Sequence, residues 1–454
     1  MTIEAEVGAP DLNGLDHRAR YAAGKALRDA VKREALADFA PAPERDALAI
    51  IAATERDRVQ SLLPLRRESM AVSPHAFLRG AADVMASDLS TQLAPGVRAQ
   101  AGGDCHLMNF GAFISPEGQA LFDVNDFDET LPNVDVTFDL RRLATSVVIA
   151  ALGAGETKPA ARRIARATMK TYRRTVAALA RLSPLEAWNM RVPLADVADS
   201  LRNRVLHAAV HRAISKDRDA DYADNFPKIE QDENGAWRIK DKPPRLFHID
   251  GEIDMQVDRD ALIAAALATL PAQVAALLRR YDLDDIAFKA VGVGSVGTRC
   301  VIALLMTPDE EPLFLQVKEA GRSVLERFGV GAWSGAQGER VVTGQRMMQA
   351  ASDIFLGFMR DPGSGREFYM RHLKTRRLGS LTELMQQHAL LDYAKLCGCV
   401  LARAHARSTD AAALAGYMGK SAAFDDALAS FAMLYARQNA KDYEAFLAQA
   451  ALGA

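Results

Sequence analysis

Gly103-Asp104-Cys105-His106-Leu107-Met108-Asn109-Phe110, followed after a short turn by Phe122-Asp123-Val124-Asn125-Asp126-Phe127-Asp128-Glu129, is the stretch on which the reading of this chain turns. Asp104, His106 and Asn109 stand at the spacing D-x-H-x-x-N, and Asp123, Asp126 and Asp128 lie just beyond a turn at Ser115-Pro116-Glu117-Gly118. Carboxylates at strand ends rarely serve packing, because an unpaired buried carboxylate is expensive. Two or three of them with an amide oxygen offer hard oxygen ligands, which suit Mg²⁺ that keeps waters and bridges phosphates. A separate aspartate can then accept a proton from, or orient, an attacking hydroxyl, so Asp104 with His106, and Asn109 with Asp126 and Asp128, are the candidates for these two roles. The bland alternative is a turn-rich surface loop whose Asp and Asn residues cap nearby helices. Two acidic motifs this close, one holding a histidine, weigh against it.

Working outward, a second cluster lies far later in the chain. Gly292, Gly294, Ser295 and Gly297 spell G-x-G-S-x-G between two strand patterns. Glycines there let backbone N–H groups approach phosphate oxygens closely. A bulged hairpin uses the same letters, so the motif alone is weak. Lys318 in the apolar run FLQVKEA strengthens it, since a lysine there is costly unless it faces anions. An edge-strand charge is the competing reading.

The pattern between these clusters sets the fold class. Helical periodicity runs from Ala22 to Phe39 and from Arg45 to Leu63. Ser73-Pro74 opens a helix HAFLRGAADVMASDL, with Ser73 as cap and Pro74 at the first helical position. Short strands (GVRAQAG, LFDVNDF) follow, then helices from Phe138 to about Lys216. After LIAAALATLPAQVAALLRRY come three strands with a hairpin turn at Thr307-Pro308-Asp309-Glu310, and a helix over Glu339–Ser352. Strand candidates DIFLGFM and REFYMRHL flank the turn DPGSG, and the remainder is helical from Leu381. Helices, a small acidic strand pair, helices, a five-strand segment and helices read as α+β in two lobes, not as an alternating parallel sheet.

Composition narrows the function classes. The chain has 454 residues, a formal net charge of -2, 49% hydrophobic and 25% charged residues. That balance gives no concentrated positive field for nucleic acid or an acidic membrane. The basic helix with Arg162, Arg163, Arg166, Lys170, Arg173 and Arg174 is expected to be a solvated face. Four cysteines, Cys105, Cys300, Cys397 and Cys399, do not make a disulfide scaffold, and Cys397 and Cys399 read as small buried hydrophobes. The polar, acidic first twenty residues read as a loose leader, and no apolar run reaches transmembrane length, so the expected compartment is the cytoplasm. His207 and His211 share a helix face but lack the glutamate of a zinc-protease motif, and are expected to be structural. His405 in ARAHARS reads as a helix-end residue. Arg79 in FLRG is a candidate for anchoring a carboxylate or phosphate, or for an ordinary ion pair.

GDCHLMN resembles the catalytic loop of aminoglycoside-phosphotransferase-like kinases, H-G-D-x-H-x-x-N, and NDFDE with Asp139-Leu140 resembles their I-D-F-x-D and downstream D-L. GVGSVGTRC…FLQVKEA resembles the kinase glycine-rich loop and its lysine-bearing third strand. The resemblance implies an ATP-binding, protein-kinase-like fold in which Asp104 is the catalytic base, Asn109 and Asp126 bind Mg²⁺, and Lys318 meets the α/β-phosphates. The whole chain, from about residue 20 to 445, is also similar to an uncharacterised bacterial family, the domain of unknown function 2252. SPHAFLRGAADVMASDL, GDCHLMNFGAF, FDVNDFDET, DLRRLATS, VGVGSVGTRC and ARAHARS carry that likeness.

Three departures from the kinase pattern stand out. Gly102 replaces the usual histidine, so the loop is anchored differently. The lobe order is reversed, which a circular permutation repairs, because CVLARAHARS resembles the helix that normally leads into the catalytic loop. The glutamate that partners Lys318 is Glu339 by preference, with Glu319 and Glu326 as rivals. The implied organisation is an N-terminal helical extension over 1–60, a catalytic helical region over 61–283, a nucleotide-binding sheet over 284–374, and C-terminal helices over 375–454 that complete the large lobe.

Two rival functions compete with this reading. A two-metal phosphoesterase also opens a motif with G-D-x-H, but the chain lacks G-D-x-x-D and G-N-H-D segments. A non-catalytic nucleotide-binding regulatory module is disfavoured because Asp104, Asn109, Asp126 and Lys318 are all present. The acceptor hydroxyl, on a small molecule or a protein, is not readable, nor is phosphoryl against nucleotidyl transfer or the oligomeric state. The whole reading requires the early aspartates to meet the late glycine loop and lysine in one cleft.

Overall fold

The computed structural model describes residues 12, 14–200, 203–215, 226–248, 259–290, 292–373 and 389–452. Most of the expected leader lies outside them, as do Lys216, where the middle helical run was expected to close, and residues 381–388 of the last one. Helices α1 (His17–Ala30), α2 (Ala47–Glu55), α3 (Leu63–Ala71), α4 (Pro74–Gly80) and α5 (Ala82–Ser90) precede β1 (Arg98–Ala101), β2 (Phe110–Ile114), β3 (Ala120–Val124) and β4 (Leu131–Asp135). Then come α6 (Thr137–Gly153), α7 (Lys158–Leu179), α8 (Pro184–Asn189), α9 (Leu194–Ser200), α10 (Arg204–Ser215), β5 (Ile229–Gln231), β6 (Trp237–Ile239), β7 (Leu246–Phe247), α11 (Arg259–Thr269) and α12 (Ala272–Leu278). Strands β8 (Asp282–Lys289), β9 (Cys300–Met306) and β10 (Pro312–Glu319) are followed by α13 (Val324–Arg327), α14 (Gln337–Met348), β11 (Gly357–Arg360) and β12 (Glu367–His372). Helices α15 (Leu390–Ala406), α16 (Ala411–Met418) and α17 (Ala423–Leu452) end the described chain.

The class is mixed α+β with antiparallel sheets, as the order of patterns predicts. The five expected late strands are β8 to β12, and β7 adds an edge, giving a six-stranded sheet in the order β11-β12-β10-β9-β8-β7. The acidic segment forms two separate ribbons, β1 with β4 and β2 with β3. The turn expected at Ser115–Gly118 joins β2 to β3, with the Gly118 amide donating to the Ser115 carbonyl at 2.9 Å.

Two hydrophobic cores dominate. The larger surrounds α6, whose residues from Thr137 to Ala151 are all buried, and it draws on α1, α7, α15, α16 and α17. A helix buried on every side needs no polar face, which is why DLRRLATSVVIAAL carries so few charges. The second core lies between the six-stranded sheet and α11 with α12. Among the described residues no helix is long and apolar enough to cross a membrane.

Two expectations change. The run HAFLRGAADVMASDL is not one helix but two, broken at Ala81 (φ -111°, ψ 41°). Ser73 caps its start as expected, accepting from the Ala76 amide at 3.1 Å. At its end, buried Arg142 and Arg66 take the carbonyls of Leu78 and Gly80 at 2.8 and 2.7 Å, and a continuous helix would use those carbonyls itself. The basic helix α7 is also not simply a solvated face. Arg173 is buried and gripped by Asp425 at 2.7 and 2.8 Å, and Arg166 meets Asp426 at 2.6 Å, so part of that charge docks α17.

The termini are tied together by charge. Arg45 is held by Asp88 at 2.5 Å and by Asp442 at 2.6 Å, all three side chains 8% exposed or less. Arg45→Met leaves two buried carboxylates without their cation and is expected to cost about 3–5 kcal/mol in urea unfolding. Arg18→Met, on an exposed position, should stay within about 0.5 kcal/mol.

Candidate functional site

Strand β1 feeds the loop 102–109. Gly103 has φ +81°, and a Cβ on it would stand 2.2 Å from the Glu129 carbonyl oxygen, so both backbone shape and space demand glycine. Asp139 on α6 holds the loop from beneath: its carboxylate accepts from the Gly102 amide at 2.7 Å and the Gly103 amide at 2.9 Å. His405 Nε2 lies 3.1 Å from the same carboxylate, and its Nδ1 is 2.8 Å from the Tyr172 hydroxyl. Because Asp139 only accepts, Nε2 donates to it and Nδ1 accepts from Tyr172. His405, expected to be a helix-end residue, is thus an anchor of the loop and occupies no place in the cleft lining.

Asp104 turns its carboxylate into the cleft. Arg142 Nε donates to Oδ1 at 2.5 Å, and His106 Nε2 is 3.6 Å from Oδ2. Burial raises the Asp104 pKa to about 6, with Arg142 opposing the rise. His106 is 2% exposed and its Nδ1 accepts from the Met108 amide at 3.1 Å, capping the short turn before Asn109. Arg79 Nε lies 3.4 Å from its Nε2. Burial, then Arg79 and Arg142, push this imidazole well below its ordinary pKa. The ring, buried and capping, shapes the loop that carries Asp104 and stands in the wall of the cleft beside it. Asn109 donates from Nδ2 to the Asp104 carbonyl at 2.5 Å, which leaves its amide oxygen as an acceptor.

The second acidic loop separates its aspartates. Asp128 is fully engaged: Tyr369 donates to Oδ1 at 2.6 Å, while Lys318 at 2.5 Å and Ser295 at 3.3 Å donate to Oδ2. Burial alone would raise Asp128, but Lys318 and Tyr369 hold it below the usual carboxylate value. Asp126 is the opposite case. Its Oδ1 is buried with no hydrogen-bond partner among the described residues, 3.9 Å from Lys318 Nζ, and burial with the neighbouring Asp128 charge raises its pKa. Asp128 is therefore better described as the counter-ion of Lys318 than as a cation ligand. Asp126 and Asn109 keep oxygen atoms to offer. Among the described residues no group of three or more His, Cys, Asp or Glu is placed to hold a metal.

The glycine loop closes the cleft from above. Its carbonyls are drawn to the helical wall, where Arg66 donates to Val293 and Gly294 at 3.1 Å each and Arg58 to Val296 at 2.7 Å. Val59 donates its amide to the Gly297 carbonyl at 2.8 Å. Among the described residues no amide from Gly292 to Gly297 donates to a backbone carbonyl. Gly292 and Gly297 take φ +65° and +89°.

One polar cleft is lined by Asp104, His106, Asn109, Asp126 and Asp128 from the early loops and by Gly292, Gly294 and Ser295 from the late one. Arg58, Arg79, Arg322 and Arg327 add positive charge to its walls. Lys318 reaches the cleft through Asp128, and Gly297 stands at the loop's end against Arg58. Glu339 is not brought in. It sits in the first turn of α14, and among the described residues Lys318 pairs with Asp128 and Asp126 instead. The rivals are also committed elsewhere: Glu319 to Arg299 and Arg366, Glu326 to the Ser323 and Trp333 amides. The residue on α14 that does reach across is Arg340, whose guanidinium binds the carbonyls of Thr130, Asp128 and Gly321. Sequence reading missed Arg142, Arg340, Arg66 and Tyr369. Arg142 carried a usable signal, a charge inside an apolar helix; Tyr369 carried none.

The chain belongs to a family of uncharacterised proteins conserved in bacteria (DUF2252), whose model matches residues 58–449. No curated protein and no solved structure matches it.

Asp139→Asn replaces one of the two oxygens that serve the Gly102 and Gly103 amides and His405 with an NH2 donor. Hydrogen exchange at Gly102 and Gly103 is expected to rise sharply in this variant, with exchange in α17 unchanged.

Proposed function

We propose that this chain is an ATP- and Mg²⁺-dependent phosphotransferase of the kinase-like type, acting on a hydroxyl of a small-molecule or protein acceptor. The observation that carries the reading is the meeting in one cleft of Asp104, Asn109 and Asp126 with the glycine loop and, through Asp128, Lys318. These groups are far apart in sequence, and no packing requirement calls for so many charged side chains around one hollow.

A circularly permuted two-lobed frame accounts for their order. The Gln100 amide donates to Ser408 Oγ at 2.8 Å, so the end of α15 adjoins the strand that enters the catalytic loop. A chain running directly from α15 into that loop would restore the usual kinase order. His405 then compensates for Gly102: the anchoring imidazole comes from the helix end and not from the loop itself. In this frame the region 284–374 carries the nucleotide, and 61–283 with 375–454 carries the chemistry.

The chain's own residues would divide the work as follows. Amides of the loop 292–297 and the Lys318 ammonium bind phosphate oxygens. Asn109 and Asp126 fit a hard cation, since both offer oxygen and Asp126 Oδ1 is an orphan, and two protein ligands suffice where phosphates and water complete the set. Mg²⁺ bound there would neutralise charge on the phosphate oxygens. Asp104, fixed by Arg142, orients the acceptor hydroxyl and takes its proton. Arg79 adds a positive charge at the same wall.

Thermal-shift titration with ATP and Mg²⁺ is expected to stabilise the protein, and Asp126→Ala to abolish the Mg²⁺-dependent part. Absence of any shift with every nucleoside triphosphate would end the proposal. Asp104→Asn is expected to keep nucleotide binding but lose about 10²–10⁴ in turnover. Because Asp104 titrates at about 6, it is ionised above that pH and protonated below it. Turnover should therefore fall as pH drops through about 6, and the residual activity of Asp104→Asn should not show that limb.

A further inference from the structure

Strand alternation gives the six-stranded sheet two different faces. Lys318 and its cross-strand neighbour Tyr369 lie on the face toward the acidic loop that carries Asp128. Val317, Phe368 and Met370, one position along, point to the opposite face, toward α11 and α12. Between that face and the two helices is a half-open cavity of about 640 Å³ whose walls are mostly apolar, with Ala266, Val301, Ala303 and Met359 among them.

Protein interiors are close-packed, and an engineered apolar cavity of about 150 Å³ already takes up benzene. A space of this size falls in the range of small-molecule sites, about 300–1,000 Å³. One polar group gives it direction. Arg299 lines the cavity with a side chain 13% exposed, and its Nε is buried with no hydrogen-bond partner among the described residues. Its Nη1 lies 3.3 Å from Glu319, but Glu319 has a second cation, Arg366, at 2.7 Å. The Arg299 guanidinium can therefore serve an additional acceptor without stranding the glutamate. Arg279 and Asp282, both exposed, carry opposite charges, and Arg299 is the less exposed cation of the lining.

We propose that this cavity binds an unbranched acyl ligand with an anionic head, a fatty carboxylate, its chain along the apolar sheet face and its carboxylate accepting from Arg299. The site is separate from the nucleotide cleft and its test needs no nucleotide. Isothermal titration of the full chain with dodecanoate below its micelle formation, and with dodecanol below its solubility limit as the uncharged control, should give one saturable site. Arg299→Gln is expected to weaken dodecanoate about tenfold or more and leave dodecanol unchanged. Ala303→Trp, which sets an indole into the cavity against the sheet, should weaken both about tenfold or more; its near-UV circular dichroism reports folding, and Arg299→Gln carries the test if it misfolds. No dodecanoate binding by the wild type, undiminished binding by folded Ala303→Trp, or equal dodecanoate affinity in Arg299→Gln would each overturn the proposal.

Discussion

Lys318 lies in the middle of the sheet and is 4% exposed, and a buried ammonium without a counter-charge is not sustainable. The chain answers with Asp128, brought from a loop encoded far earlier, and closes the arrangement with the Tyr369 hydroxyl and Ser295. Burial would lower the lysine's pKa, but Asp128, Tyr369 and Asp126 together hold it well above the ordinary value. The pair therefore stays ionic, and its geometry fixes where the acidic loop sits beneath the glycine loop. Two aspartates two residues apart acquire opposite characters as a result. Asp128 is spent on the sheet, whereas Asp126 keeps an oxygen with no hydrogen-bond donor among the described residues.

The same constraint recurs with arginine and backbone. Arg66, Arg58, Arg142 and Arg340 each send guanidinium N–H groups to carbonyls where the chain leaves regular structure: the end of α4, the glycine loop and the turn after Asp128. A planar fork with five donors suits such places, because several carbonyls pointing in different directions can be satisfied by one side chain. Breaking the helix at Ala81 sacrifices intrahelical bonds, but Arg66 returns partners to both the α4 end and the glycine loop. The two walls of the cleft are thereby held by one residue.

How much of this could be read in advance follows from the range of each interaction. The α+β order, the Ser73 cap and the late antiparallel strands are written in local periodicity and turn chemistry, and were legible. The cleft residues Asp104, Asn109 and Asp126 were legible too, because their spacing within a few residues is itself the signal. Partnerships across hundreds of residues were not. Glu339 looked like the partner of Lys318 by its place on the next helix, but the register of β10 against β12 puts Tyr369 beside the lysine, and the Asp128 loop supplies the charge. His405 looked ornamental at a helix end because nothing local reveals that Asp139 stands opposite it. The helix break at Ala81 was hidden for the same reason: the carbonyls at its end are taken by Arg142 and Arg66, on other helices.

The alternation of one strand explains why the sheet can face two unlike cavities. In β10, Lys318 belongs to the polar side and Val317 to the apolar side, so neither can change side without a register slip that would bury the wrong set. The two linings meet at the strand end. Glu319 lines the polar cleft, Arg299 lines the apolar cavity, and they are joined at 3.3 Å just after the glycine loop ends. Arg366 on the neighbouring segment takes the other Glu319 oxygen at 2.7 Å. A group that draws Arg299 toward the apolar side leaves Glu319 to Arg366 alone, and Thr298, next to Arg299, is itself part of the cleft wall. Among the described residues, these few side chains are where the lining of the cleft meets the lining of the cavity, so a change at Arg299 is felt first at Glu319 and Thr298.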